Sequence, residues 1–186
     1  MSDSPRSRLA RLLLTHSLRT GTFTLASGET SDVYLDVKAT SLLGEGALLI
    51  GELFWEKLLQ LGQRPTAVGG LTLGSDPLVT ATSIAAFQNG ESLAAIIVRK
   101  QTKDHGTRKA LEFPPTLKRG DQVVAIDDVV TSGASTLQAI EAMRDAGFEI
   151  HHALCVVDRE ASGRQALADA GVTLHSLFTL QELRQD

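Results

Sequence analysis

What this chain lacks narrows it first. It has a single cysteine, Cys155, so no disulfide can form within it, and so sparing a use of thiols fits a reducing cytoplasm. Aromatic residues make up only 4% of the 186 residues, with one tryptophan and one tyrosine. Surfaces that stack nucleic-acid bases interleave aromatic rings with cations, so no nucleic-acid partner is expected. Positive charge is also short, the net charge being −4, which argues against coating an anionic polymer or membrane. No apolar run approaches the roughly 20 residues that cross a bilayer. The opening "MSDSPRSRLARLLL" shows no long apolar stretch with a small-residue cleavage site, so no signal peptide and no membrane partner are expected. Two phosphate-binding signatures are missing as well. There is no G-x-x-x-x-G-K-[ST], and no G-x-G-x-x-G opens the first helix, which sets aside P-loop and dinucleotide-binding roles.

What remains is an ordinary globular composition, 42% hydrophobic and 22% charged, over a length that suits one domain, residues 1–186. Residues 6–18 read as a short amphipathic helix, and "FTLASGETSDVYLDVKA" as two strands around a Ser-Gly turn. Leu43, Ala47, Ile50, Phe54, Leu58 and Leu61 recur at helical spacing. Apolar strands are expected at 66–70, 93–98, 122–126, 150–157 and 172–177. Helices are expected at 75–88, from Leu137 to a cap at Gly147, at 161–170, and at the C-terminus. Strands that are continuously apolar and alternate with helices indicate an α/β fold, a mostly parallel central sheet covered by helices on both faces.

Such sheets bind ligands beyond the carboxyl ends of their strands. Three segments fall there. In "DDVVTSGAS" (127–135) a loop of Thr131, Ser132, Gly133, Ala134 and Ser135 leads into a helix, whose unpaired N–H groups and dipole favour a phosphate. A tight turn with Ser135 as its cap is the plainer alternative. The adjacent Asp127 and Asp128 weigh against it: two carboxylates suit the two hydroxyls of a sugar, and a nearby Mg²⁺ offsets their repulsion. Together they describe a ribose 5-phosphate site. "RKQTKDHGTRK" (99–109) concentrates Arg99, Lys100, Lys103, His105, Arg108 and Lys109 at a strand end, with Gly106 as a hinge; a solvated basic loop is its plainer reading. "GGLTLGSD" (69–76) offers backbone amides around Leu73 and Gly74, or simply a strand-to-helix turn capped by Ser75. Arg159 ends a further strand. There a guanidinium serves either a surface salt bridge or the two-pronged recognition of a carboxylate.

The stretch of apolar strand, Asp127, Asp128, Val129, Val130 and then T-x-G-x-S resembles the phosphoribosyl-pyrophosphate motif of type I phosphoribosyltransferases. "FTLASGETSDVYLD", "GGLTLGSDPL", "VRKQTKDHGT" and "VDRE" narrow the resemblance to the orotate phosphoribosyltransferase family, in that family's order, from about residue 22 to 183. The resemblance implies the type I phosphoribosyltransferase fold with a small N-terminal hood formed mainly by about 1–40. It implies transfer of a phosphoribosyl group from phosphoribosyl pyrophosphate to orotate, with Mg²⁺ held mainly through that substrate near Asp127 and Asp128, in a homodimer. Residues 127–135, together with Leu73 and Gly74, would bind the sugar phosphate and diphosphate. Lys103 would be the main catalytic cation, and His105, Arg99 and Lys100 would hold the diphosphate on a loop that reaches the partner's site. Arg159 and Thr131 would contact orotate beneath the hood, with Ala26 and Tyr34 beside the base.

Two departures stand out. Some members carry a lysine where this chain has Ala26, so that lysine's role does not carry over, and "LEFPP" (111–115) replaces the common I-E-G after the basic loop. A purine phosphoribosyltransferase would share the acidic pair but has no carboxylate for Arg159. A regulatory module that binds the sugar phosphate and controls RNA is the alternative outside the enzymes. His151, His152, Cys155 and Trp55 are expected to be structural.

Overall fold

The computed structural model describes residues 4–24, 30–62, 64–100 and 111–185. Helix α1 (Pro5–Leu12) starts with Pro5 in its first turn and the Ser4 hydroxyl accepting from the Ser7 amide at 3.2 Å. It does not run on to residue 18 as a regular helix: Leu13–Ser17 form a π-helical turn, after which β1 (Leu18–Thr24) begins. β1 pairs antiparallel with β2 (Thr30–Leu35), and the two form a sheet of their own. A four-residue helix, α2 (Lys38–Ser41), which the sequence did not suggest, leads into α3 (Gly44–Leu59).

The main sheet is built from β3 (Ala67–Leu71), β4 (Ala94–Val98), β5 (Leu111–Glu112), β6 (Val123–Val130), β7 (His152–Asp158) and β8 (Thr173–Thr179). Between them run α4 (Asp76–Gln88), α5 (Ala134–Asp145) and α6 (Gly163–Asp169), and α7 (Leu180–Gln185) follows β8. The spatial order is β5-β4-β3-β6-β7-β8, with β4, β3, β6, β7 and β8 parallel and the unanticipated β5 antiparallel at the edge. This is the expected α/β architecture, a mostly parallel sheet between helices.

The continuous apolar strands are explained by burial on both faces. Along β6, Val124 and Ile126 pack on one side with Val68, Leu154, Phe54 and Leu78, while Val123 and Ala125 pack on the other with Ile140, Met143 and Leu167. Leu9 and Leu13 join the first of these clusters, so α1 belongs to the layer that covers the sheet. Cys155 is fully buried in the second, where burial raises its thiol pKa well above the ordinary value: it packs as a small hydrophobe. Trp55 is buried on α3, as expected. Of the histidine pair, His152 meets His175 across β7 and β8, ring nitrogen to ring nitrogen at 3.3 Å.

In chain order the five parallel strands are arranged 2-1-3-4-5, so the connections leave in opposite directions from β3 and β6. A crevice opens where connections diverge in this way, beyond the carboxyl ends of those two strands. No helix among the described residues is long and apolar enough to cross a membrane.

Candidate active site

Both acidic residues lie inside β6, which continues to Val130 instead of ending at Ile126. The expectation that the pair follows the strand is therefore corrected, and the reason is local satisfaction of charge. Asp127 is only 5% exposed and its carboxylate is fully engaged. Oδ1 accepts from the Asp128 amide at 2.9 Å, and Oδ2 accepts from the Ser135 hydroxyl at 2.8 Å and the Thr136 hydroxyl at 2.6 Å. The hydroxyls that Asp127 binds are thus the chain's own. It clamps the first turn of α5 to the strand and fixes where the helix points its free amides.

Ser135 likewise is not the cap. It sits in the first turn of α5, and the capping position belongs to Gly133 at φ +79°, a left-handed conformation in which most side chains are strained. Thr131 and Ser132 are exposed in the turn before it, and the Thr131 carbonyl accepts from the Gly163 amide at 2.9 Å. The N-terminus of α5 thereby opens onto the crevice with hydroxyls and amides around it, a ready anion site.

Asp128 has different partners. Its Oδ1 accepts from the Val129 amide at 2.8 Å, while Oδ2 lies 3.9 Å from the Lys38 ammonium. The turn after β3 lies against the same carboxylate: a Cβ built on Gly74 would stand 2.6 Å from Oδ2, so a larger residue there would displace the Asp128 side chain. Burial first, and the charge of Asp127 second, push the Asp128 carboxyl up from 3.8 to about 6. The turn itself, 72–75, contains a cis peptide between Thr72 and Leu73 and leaves Leu73 exposed. Ser75 does not cap α4 with its side chain; its hydroxyl donates to the Ile126 carbonyl at 2.8 Å and ties this turn to β6.

Arg159 stands just beyond β7, and its amide donates to the Val130 carbonyl at 2.9 Å, which brings it beside the end of the motif. Together with Glu160, Leu180, Gln181, Arg184 and Gln185 it lines a cavity of about 340 Å³. From the hairpin, Asp32 reaches Arg184 at 2.5 Å; that hydrogen bond foremost, and the charge of Arg159 to a lesser degree, lower the Asp32 pKa. Tyr34 on β2 is half-exposed and packs on Phe23, ring centroids 5.6 Å apart.

The basic segment leaves β4 and returns on β5, the edge strand, so it starts and finishes at the same end of the sheet. At its base Arg99 pairs with Glu112 at 2.9 Å, and Lys100 is exposed. Lys103 and His105 lie outside the described residues, as does Ala26 of the hood. The LEFPP departure supplies the return strand: Leu111 and Glu112 form β5, and Phe113 packs edge-on against Phe148 at 5.3 Å.

A larger cavity, about 470 Å³, is lined by Trp55, Arg64, Thr66, Glu91 and Asp121 among others, at the amino ends of β3, β4 and β6. It lies at the wrong end of a parallel sheet for the chemistry that the acidic pair suggests. The structure brings Asp127, Asp128, Leu73, Gly74 and 129–135 together at the crevice, with Arg159 beside them. It also adds Lys38, which the sequence reading missed because nothing local marks a lysine that topology delivers to a distant carboxylate.

A helix start with free amides, an acidic strand end and a glycine turn meet at this crevice, and the chain carries a phosphoribosyl transferase domain. The family model of that description matches residues 40–176. The chain is 43% identical to orotate phosphoribosyltransferase of Thermosynechococcus vestitus, over 96% of this chain and 92% of the relative. It is 38% identical to the enzyme of the same name from Aquifex aeolicus, over 96% and 97% of the two chains. Among solved structures, Mycobacterium tuberculosis H37Rv orotate phosphoribosyltransferase in complex with 5-phospho-α-D-ribosyl 1-diphosphate aligns with a TM-score of 0.80 at 31% identity, covering 97% of this chain and 99% of that one. The chain belongs to the orotate phosphoribosyltransferase family.

Proposed function

We propose that this chain, as a single phosphoribosyltransferase domain with a hood, transfers the 5-phosphoribosyl group of phosphoribosyl pyrophosphate to orotate. The products are orotidine 5′-phosphate and pyrophosphate, in pyrimidine (UMP) biosynthesis. The observation that carries the reading is the crevice between β3 and β6. There Asp127 fixes the start of α5 and Asp128 stands beside the Gly74 turn.

In this reading the 5′-phosphate rests on the N-terminus of α5 among Thr131, Ser132, Gly133, Ala134 and Ser135. Asp128 accepts hydroxyls of the ribose, and the amides around Leu73 and Gly74 meet the diphosphate. The bond from the anomeric carbon to the diphosphate oxygen breaks and its electron pair leaves with the diphosphate. The orotate nitrogen forms the new bond as its proton passes to the departing diphosphate. The protein supplies no covalent nucleophile; it positions the reactants and stabilises the departing charge. Lys103 is the main cation for that charge, helped by His105, Arg99 and Lys100, on a loop that reaches the partner's site in a cytoplasmic homodimer. Arg159 pairs with the orotate carboxylate, Thr131 adds a hydroxyl, and the hood residues Tyr34 and Ala26 cover the base.

Mg²⁺ fits this site as an ion carried by the substrate. Among the described residues no group of three or more acidic, histidine or cysteine side chains is arranged to hold a metal, so those residues build no complete cage. The partly buried Asp128 carboxylate, a hard oxygen donor whose pKa is pushed up to about 6, stands where a cation bound to the diphosphate would be welcome. Bound there, the ion neutralises the diphosphate and improves it as a leaving group. Neither nucleic acid nor membrane is a partner in this reading.

Turnover with orotate beside adenine, guanine and uracil tests the proposal. Orotate is the substrate expected to yield a nucleotide; comparable or greater turnover with any of the other three overturns it.

A further inference from the structure

The acidic pair is met by a cation from outside its own motif. Lys38 follows β2, and its root is fixed. Val37 is fully buried, the Asp36 amide donates to the Ser17 carbonyl at 3.0 Å, and the Thr40 hydroxyl meets that of Ser17 at 2.7 Å. The Asp36 carboxylate then accepts twice from the same residue, from the Lys38 backbone amide at 3.1 Å and from its ammonium at 2.6 Å. This leaves its head 3.9 Å from Asp128 Oδ2, with 42% of the side chain exposed.

We propose that Lys38 is a positioning residue for the ribose. Seated between two carboxylates, it holds Asp128 in the orientation that accepts sugar hydroxyls and offsets its charge against an anionic sugar phosphate. The inference rests on the ribose-site reading of Asp128. Among the described residues that carboxylate meets the Val129 amide on Oδ1, the Gly74 turn beside Oδ2, the like charge of Asp127, and Lys38. The first two belong to the backbone and are fixed, and Asp127 is clamped to α5, so Lys38 is the adjustable member. At 3.9 Å it attracts Oδ2 without occupying it by a hydrogen bond, so a ligand hydroxyl can still be accepted there. When the ligand arrives the ammonium keeps its 2.6 Å contact with Asp36, so its charge stays beside the site. Hydrogen bonding to Asp36 raises the Lys38 pKa, which keeps the ammonium charged at neutral pH.

The test is calorimetric binding of phosphoribosyl pyrophosphate with Mg²⁺, alongside steady-state kinetics, in Lys38→Met, Lys38→Arg, Asp128→Asn and the Lys38→Met/Asp128→Asn double variant, with circular dichroism to verify folding. Lys38→Met is expected to weaken binding about tenfold, equivalent to about 1.4 kcal/mol. It should raise the KM for phosphoribosyl pyrophosphate in step, while the KM for orotate and the kcat at saturation move less than about threefold. Lys38→Arg should restore most of the affinity. In the Asp128→Asn background the lysine change should cost less than about twofold, since the residue acts through Asp128. Unchanged affinity in Lys38→Met, or a full further loss in the double variant, overturns the inference. Wild-type protein that fails to bind phosphoribosyl pyrophosphate overturns the ribose-site reading itself.

Discussion

Asp128→Asn should make the unliganded protein more stable while destroying its activity. Burial and the neighbouring Asp127 raise the Asp128 carboxyl from 3.8 to about 6. The folded chain therefore holds this proton more tightly than the unfolded chain does. Stability contributed by the protonated group is fully present below about pH 4 and is lost as pH rises to about 6, so at neutral pH the ionised carboxylate opposes folding. A shift of about two units, already net of the attraction of Lys38, corresponds to about 3 kcal/mol, an upper figure because the side chain is still 18% exposed to screening solvent. In a protein of this size that amounts to a rise in Tm of about 6–12 °C. Thermal unfolding followed by circular dichroism, wild type against variant at pH 8 and pH 5, is the assay. The other titrating groups are common to both proteins, so the difference isolates position 128. The gain should be largest at pH 8 and shrink towards pH 5. A variant that is less stable than wild type at pH 8, or a gain that does not change with pH, refutes the reasoning. Stability sacrificed at a binding site is a familiar compromise.

Asp127→Asn should act in the opposite sense, because it breaks the charge-assisted clamp on Ser135 and Thr136; a loss of about 2–4 kcal/mol in denaturant unfolding is expected, and unchanged stability contradicts the clamp. Arg159→Ala should lower kcat/KM for orotate by roughly 30- to 1000-fold, or about 2–4 kcal/mol, with little change in the KM for phosphoribosyl pyrophosphate. The Arg159 backbone contact with Val130 survives this truncation, so equal effects on both substrates count against carboxylate recognition. Mixing inactive Lys103→Ala with inactive Asp128→Asn subunits should regenerate activity if the basic loop works in the partner's site; no recovery after demonstrated exchange places the loop in its own.

The strands were legible because burial on both faces leaves runs such as "LAAIIV" and "QVVAI" with no polar interruption, and helices at regular spacing separate them. The end of β6 was not, since Asp127 and Asp128 look like the start of a loop until Ser135 and Thr136 are seen to satisfy one of them. β5 is too short to carry a pattern, and α2 is a single turn held by Ser17 and Asp36 contacts from other segments. At the crevice, residues contiguous in sequence, 127–135 and 72–74, could be read from composition and order. Lys38 could not, because its role depends on where the chain brings it.

The central claim is that this chain joins a phosphoribosyl group to orotate at the carboxyl ends of β3 and β6. Pyrophosphate release from phosphoribosyl pyrophosphate, measured with and without orotate in wild type and in folded Asp128→Asn, tests it most directly. The account predicts release that requires orotate, matches orotidine 5′-phosphate in amount, and falls by at least about 100-fold in the variant. Release that ignores orotate, or that survives intact in Asp128→Asn, would contradict it.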